Sequence, residues 1–315
     1  MGQGTGRIRV AVLMGGPDAE REVSLQSGEQ VAMALGNDPS IEVVRRVVDR
    51  PTAAEIASLG VDAVFPVLHG PFGEGGPMQE ILDATGLPYV GCRPKAAALA
   101  MDKLATKMLA DQVGVPTPGS REVRPGEPID LEPPLVLKPA NEGSSVGLRI
   151  CRDRAAVEAA RRELEPVTPR LMAERYIRGR EVTVGVLDGK VLPIIEIRPA
   201  VEFYDYEAKY LDEGSKSLIP ADLPAATVAE VQRLTVAAFR AIDAAGLARV
   251  DFLLSRDTGA IYVNEINTMP GFTNISMYSK MWEASGIGYA ALVDRLIQLA
   301  IERHAEKQRL KTSAL

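Results

Sequence analysis

The stretch Arg249–Gly271, RVDFLLSRDTGAIYVNEINTMPG, decides how the chain folds around its chemistry. Two apolar runs, Val250–Leu254 and Ala260–Ile266, flank Ser255–Gly259, whose Asp and Gly suit a hairpin turn. The strand period of two puts Glu265 and Asn267 on one face. Closing the hairpin about Asp257–Gly259 brings Asp251 roughly opposite Glu265 on that face. Two carboxylates and an amide oxygen then share one spot among apolar positions, where like charges repel and need neutralising. Hard oxygen donors of this kind suit Mg²⁺, which completes its shell with substrate phosphates. For an isolated D…E-x-N the plainer alternative is a solvated hairpin face. Arg249 at one end and Asn-Thr-Met-Pro-Gly at the other favour a site, because they place a cation and a Gly-containing turn where a phosphate or oxyanion could sit.

Upstream of the hairpin, Ala225–Ala245 reads as a helix. Before it, REVTVGVLDGKVLPIIEI (Arg180–Ile197) reads as a hairpin closed by Asp188-Gly189. Between them, Phe203–Leu211, FYDYEAKYL, is aromatic and charged without clean periodicity, and Pro220–Pro224 closes the excursion. This reads as a long functional loop, with an interface loop as the alternative. Further back, Pro134–Cys151 reads strand, Gly-rich loop, strand: LVLKP, ANEGSSVG, LRIC. A loop of Gly and Ser beside a strand-borne Lys138 suits a phosphate cover, because bare N–H groups can approach the oxygens. A flexible turn is the plainer alternative. No Walker A loop occurs in the chain. Helix Ala155–Leu164 and strand Arg170–Tyr176, carrying Glu174, complete a small α+β unit, and Glu181 follows the Arg178-Gly179 turn.

The N-terminal part alternates strands and helices: strand Arg7–Met14, helix Ser24–Leu35, strand Ile41–Val48, helix Ala53–Leu59, strand Ala63–Leu68, helix Met78–Ala84, and a short strand at Pro88–Gly91. That order implies a parallel doubly wound sheet, with ligands beyond the carboxyl ends of its strands. Glu20 lies in the first βα turn and His69 ends the third strand; without G-x-G-x-x-G, a dinucleotide site is weakly supported. Glu20 could also complement a helix N-terminus, and His69 could be a hydrogen-bonded loop residue. Lys95–Val113 reads as one helix containing Met101-Asp102-Lys103, and the two-proline loop Gly114–Pro118 marks a boundary. At the other end, Ser276–Ala284 and Tyr289–His304 read as helices, and Met1–Gly6 and Lys307–Leu315 as disordered tails.

Composition narrows the class. The chain has 315 residues, 46% of them hydrophobic, enough for two or three packed domains. A net charge of -6 without a Lys/Arg cluster argues against a nucleic-acid partner. No apolar run nears the roughly 20 residues of a membrane span, and Ile8–Met14 is too short for a secretory h-region. Two cysteines, Cys92 and Cys151, imply no disulfide framework. A cytoplasmic protein is the default.

Seven stretches, GGPDAEREVSLQSG, LHGPFGEGG, MDK, KPANEGSSVG, FYDYEAKYL, ARVDFLL and NEINTMPGFTNIS, together resemble the D-alanine-D-alanine ligases of the ATP-grasp superfamily, in that family's order and at similar spacings. The resemblance covers nearly the whole chain. It implies a three-domain ATP-grasp fold: an N-terminal doubly wound parallel sheet (1–94), a small α+β central unit (95–180) and a C-terminal α+β unit with the metal site (181–315). It implies ATP and two Mg²⁺ or Mn²⁺ ions as cofactors, D-alanine as substrate, peptidoglycan precursors as the product's destination, and a homodimer. Asp251, Glu265 and Asn267 match the metal ligands. Lys103, Lys138 and Lys209 match phosphate-binding lysines, with Ser145 in the covering loop. Glu142, Glu174, Arg175, Tyr176, Ile177, Glu181 and Asn264 match further nucleotide contacts, Glu174 and Glu181 at the adenine and ribose. Arg249 and the Gly271 N–H match the oxyanion donors. Glu20, linked to Ser144 and Tyr210, matches the receiver of the first ammonium. His69, Val23, Ser276 and Met277 match substrate contacts.

Gly75, Pro77 and Glu80 depart from the family's usual residues and put the conformation of the loop near His69 in question. Tyr210 favours an amine acceptor over D-lactate. The rivals are another ATP-grasp carboxylate–amine ligase with a different second substrate, a kinase that stops at the acylphosphate, and a non-catalytic nucleotide-binding module. That last kind of protein would be expected to lose a metal ligand or Arg249, and both are retained.

Overall fold

The computed structural model describes residues 7–143, 146–168, 170–198, 216–273 and 275–313. Its first layer is a parallel sheet of order β2-β1-β3, formed by β1 (Ile8–Gly15), β2 (Ile41–Val48) and β3 (Ala63–Pro66). Val10–Met14 are completely enclosed, as an unbroken apolar run requires of a strand covered on both faces. Helix α1 (Arg21–Gly36) packs on β1 and β2. Helices α2 (Ala53–Ala57), α3 (Gly70–Glu74) and α4 (Pro77–Thr85) follow. The expected strand at Pro88–Gly91 shrinks to one bridge, Val64 to Tyr89.

The single helix expected over Lys95–Val113 is two: α5 (Pro94–Met101) and α6 (Lys103–Gln112). Asp102 divides them with extended backbone, and its Oδ1 accepts from the N–H groups of Leu104 and Ala105 at 3.1 Å each. Arg170 holds the other oxygen at 2.7 Å. The capping preference of Asp outweighs an apolar stripe that runs through both halves.

The central sheet has order β4-β7-β5-β6, all antiparallel, from β4 (Ser120–Val123), β5 (Leu135–Pro139), β6 (Arg149–Cys151) and β7 (Leu171–Arg175); helix α7 (Arg154–Leu164) covers it. β4, absent from the sequence reading, is a short edge strand with half its residues exposed. The third sheet contains β8 (Gly179–Leu187), β9 (Lys190–Val191), β10 (Ile195–Arg198), β11 (Lys216–Leu218), β12 (Leu247–Ser255) and β13 (Ile261–Asn267). Asp188 and Gly189, both at positive φ, turn β8 into β9. Helix α8 (Ala225–Ala241) packs on this sheet, and α9 (Met277–Ala284) on β8.

The last helix, α10 (Tyr289–Ser313), returns to the N-terminal sheet and packs on α1 and β3. One apolar core therefore runs from Val10 and Phe65 through Phe272 and Tyr278 to Leu292 and Leu296. Phe65 meets Phe272 edge to face at 5.3 Å. The tail expected to be disordered from Lys307 is instead helical to Ser313, held by Lys307 Nζ to Asp83 Oδ1 at 3.3 Å. Among the described residues no single helix is long and apolar enough to cross a membrane.

Candidate active site

Strands β12 and β13 pair antiparallel, with Asp251 opposite Glu265 and Arg249 opposite Asn267, the register that the hairpin pattern predicts. The register then slips: Phe252 faces Val263, leaving Asn264 as the extra residue of a bulge. A bulge re-aims a side chain, so the consecutive residues Asn264 and Glu265 both line the neighbouring cleft. Val250 and Ile266, on the other face, join the core under α8.

Arg249, two residues before Asp251, forks onto it: Nε to Oδ1 is 2.9 Å and Nη2 to Oδ2 is 2.8 Å. Thr183, opposite Asp251 on β8, donates its hydroxyl to Oδ1 at 2.5 Å. Asp251 is thus buried with its charge matched. The Asn267 Oδ1 accepts from the Met269 N–H at 2.9 Å.

Arg249, Asp251, Glu265 and Asn267 form one wall of a cavity completed by Glu20, Glu74, Lys103, Glu142, Gly271 and Ser276, with Met277 also lining it. Glu20 occupies the N-cap position of α1 without a side-chain capping hydrogen bond, and its carboxylate both lines this cavity and lies at the positive end of the helix. Asp18 performs a capping role elsewhere, its Oδ2 accepting from Phe72 N–H at 2.8 Å and Gly73 N–H at 3.3 Å. That contact pins α3 against the first βα loop. The departure at Gly75 has a steric reason, since a Cβ there would overlap the Pro71 carbonyl oxygen.

Glu74, absent from the sequence assignment although it sits in LHGPFGEGG, is 6% exposed and accepts from the Gly70 N–H at 3.1 Å. Burial, with Glu20 adding, holds its carboxyl well above the usual carboxylate range. His69 and Val23 are buried beside the cavity and do not line it. Burial lowers the His69 pKa to about 4, the Met269 backbone opposing and the charge of Arg249 adding. The ring Nε2 has no hydrogen-bond partner among the described residues.

A second cleft, of about 740 Å³, lies between the central and third sheets. Lys138 lines it from β5, Glu174 and Arg175 from β7, and Tyr176, Ile177 and Glu181 from the segment that enters β8 and its start. Lys103, Glu142, Glu181, Ile197 and Glu265 border both cavities, so the two are joined by a shared wall. The Lys103 ammonium, itself buried, donates to the Glu142 carbonyl oxygen. Burial opposes ionisation of Glu174, yet the charges of Lys138 and Lys107 overcome it and keep this carboxyl low. Lys107 was legible only as a helix neighbour of Lys103 at i+4. Ser144, Ser145, Lys209, Tyr210 and the whole Phe203–Leu211 loop lie outside the described residues.

The oxygen set of Asp251, Glu265 and Asn267 suits a hard divalent cation: two carboxylates and one amide converge on one cavity wall, and Arg249 leaves part of the Asp251 acceptor capacity unused. Mg²⁺ fits these residues.

Two antiparallel sheets flank a polar cleft beside an acidic hairpin, the arrangement expected from the resemblance to ATP-grasp ligases. Sequence profiles described as "D-ala D-ala ligase N-terminus" and "D-ala D-ala ligase C-terminus" match residues 45–92 and 122–298. The D-alanine--D-alanine ligase of Solibacter usitatus is 40% identical over 320 residues, covering 96% of this chain and 98% of that protein. The enzyme of the same name from Citrifermentans bemidjiense is 42% identical over 294 residues, 93% of this chain and 96% of its own. Among solved structures, the Bacillus anthracis D-alanine--D-alanine ligase complexed with ATP matches with a TM-score of 0.83 at 29% identity, covering 95% of this chain and 99% of that one. The VanG D-Ala:D-Ser ligase of Enterococcus faecalis matches at 0.80 and 29%, covering 93% and 99%. The chain belongs to the D-alanine–D-alanine ligase family.

Proposed function

We propose that this protein joins two D-alanines into D-alanyl-D-alanine, with ATP converted to ADP and phosphate, for peptidoglycan precursors. The observation that carries this reading is the shared wall. Glu20, Arg249, Gly271 and Ser276 surround a cavity suited to small amino acids, and that cavity opens onto the cleft lined by Lys138 and Glu181. Lys103 and Glu265 border both spaces, so a γ-phosphate held at the junction would face a carboxylate bound in the first cavity.

In this reading Glu20 receives the ammonium of the first D-alanine and turns its carboxylate toward the γ-phosphorus. Attack breaks the β–γ bond, giving an acylphosphate and ADP. The amine of the second D-alanine adds to the acyl carbon, and the tetrahedral intermediate expels phosphate. Arg249 and the Gly271 N–H stabilise its oxyanion, a preorganised arrangement that costs no reorganisation at the moment of reaction. Ser276 and Met277 hold the second carboxylate, with His69 and Val23 shaping the wall behind. Lys103 and Lys138 bind phosphate oxygens. Mg²⁺ held by Asp251, Glu265 and Asn267 would supply neutralisation of phosphate charge. Six arginines at the nucleotide cleft (Arg149, Arg152, Arg175, Arg180, Arg198 and Arg256) favour a polyanion there in a chain that is net acidic. We place the reaction in the cytoplasm, where ATP is supplied, and expect a homodimer.

The test is ADP release with a panel of D- and L-amino acids plus D-serine and D-lactate, the products being identified by mass. D-alanyl-D-alanine as the main product, dependent on ATP and Mg²⁺, is expected. Phosphate release without an amine acceptor would point to a kinase that stops at the acylphosphate. A mixed dipeptide or a D-lactyl ester as the main product would overturn the choice of second substrate.

A further inference from the structure

Two lysines meet one carboxylate at the end of the second cleft, and only one of them reaches the cleft wall. Lys107 on α6 places Nζ 2.6 Å from Glu174 Oε2. Lys138 on β5 places Nζ 3.3 Å from Glu174 Oε1 and 3.3 Å from Asn264 Oδ1. Lys107 also donates to the Asn264 backbone oxygen at 3.4 Å. Lys107 and Glu174 are each 2% exposed, and Lys107 lines neither cavity, whereas Lys138 and Glu174 line the cleft.

We propose that Lys107 is a positioning residue for nucleotide binding: it neutralises Glu174 from behind the wall and so leaves the Lys138 ammonium to the nucleotide. The geometry divides the labour. A buried carboxylate needs a close cation. At 2.6 Å Lys107 meets that need, and Lys138, at the longer distance, is not drawn fully onto Glu174. Two ammonium groups against one carboxylate leave a surplus positive charge at the wall, on the side a polyphosphate approaches. The bulge at Asn264 makes this possible, since that residue presents its carbonyl oxygen to Lys107 and its side-chain oxygen to Lys138. Lys107 thereby ties α6, β7 and β13 at one point. Without it, Lys138 becomes the sole counter-ion of Glu174, and its charge is spent inside the wall.

This inference rests on the reading of the cleft as an ATP site, which the parent protein tests separately through its ATP-dependent dipeptide synthesis. If the parent makes no dipeptide, that reading fails; if it does, the variants judge Lys107 alone. Lys107→Met is expected to raise KM for ATP by about 10- to 100-fold, the loss of one charge-assisted hydrogen bond, while kcat at saturating ATP stays within about threefold. Lys107→Arg keeps the cation behind the wall and should hold KM for ATP within about threefold of the parent. A lower melting temperature with KM for ATP unchanged in Lys107→Met, or a Lys107→Arg that binds ATP no better than Lys107→Met, overturns the proposal. Should Lys107→Met fail to fold, Lys107→Gln, which keeps a donor without the charge, takes its place, with ATP titration followed by calorimetry. ATP binding at least about tenfold weaker in Lys107→Gln than in Lys107→Arg supports the charge-balance role, and equal binding refutes it.

Discussion

Arg249 grips Asp251 from two residues away on one strand, with both carboxylate oxygens engaged by the guanidinium fork at 2.9 and 2.8 Å. The period of two makes this contact possible, and the register adds Thr183 from β8 as a third donor. In the proposed mechanism the pair joins the oxyanion donor to a metal ligand, so neither should tolerate change independently.

A lysine keeps the charge at 249 and loses the fork, because its ammonium is a point charge on a flexible stem. Arg249→Lys is expected to lower kcat by about 10²–10³, the usual cost of an oxyanion donor. Arg249→Ala should do the same and also destabilise the fold by about 3–5 kcal/mol, since it strands the buried Asp251 charge. Steady-state kinetics and urea unfolding read the two effects. Turnover of Arg249→Lys within tenfold of the parent would remove Arg249 from the oxyanion role.

Gly271 has a different reason to be glycine. A Cβ there would lie 2.9 Å from Ser276 Oγ, which accepts from the Thr273 N–H at 3.0 Å and sits 2.8 Å from the Thr273 hydroxyl. Gly271→Ala should therefore push the Ser276 hydroxyl out of place while leaving the Gly271 N–H. The expected signature is a KM for the second D-alanine raised about tenfold, with KM for ATP unchanged, as for lost ground-state binding. Equal effects on both KM values would count against it.

Periodicity explains why much of this was legible beforehand. The alternation around Asp251 and Glu265 gives the hairpin, and its register follows once the Asp257–Gly259 turn is placed. The parallel first sheet follows from strands that alternate with helices. What escaped depends on contacts distant in sequence. Asp102 breaks a helix because Arg170, from the far side of the central unit, helps hold it as a cap. The bulge at Asn264 leaves no compositional trace. Glu74 was visible as a residue but not as a buried one, since its burial depends on α3 folding back under Asp18. The α10 tail reads as a disordered terminus, and only Asp83 in the N-terminal layer shows what Lys307 binds.

Gly75 tests how far a family pattern can be imposed. The Cβ of Asp or Asn, the residues that the family resemblance leads one to expect here, would collide with the Pro71 carbonyl oxygen unless α3 moves. Gly75→Asn is expected to destabilise the protein by about 1–3 kcal/mol, as overpacking does. A thermal scan should show a melting temperature lower by several degrees. An unchanged value would mean that α3 relaxes freely, and that the chain tolerates the usual residue.

Two buried titratable groups near the site pull stability in opposite directions with pH. His69, lowered from 6.5 to about 4 by burial, stays neutral in the folded protein while the unfolded chain takes up a proton. Its contribution is present above pH 6.5 and is lost as pH falls through about 4, amounting to about 3 kcal/mol at most. Glu74 is raised by burial and by Glu20, so its contribution is complete below 4.5 and is lost as pH rises through its raised value. His69→Gln should therefore flatten the acid limb of the stability profile. Glu74→Gln should keep that limb and gain stability relative to the parent as pH rises above 4.5, because a neutral amide replaces a group that must otherwise hold a proton or bury a charge. Urea midpoints across the range separate the two. Parallel profiles for the parent and both variants would mean that neither group titrates differently on folding.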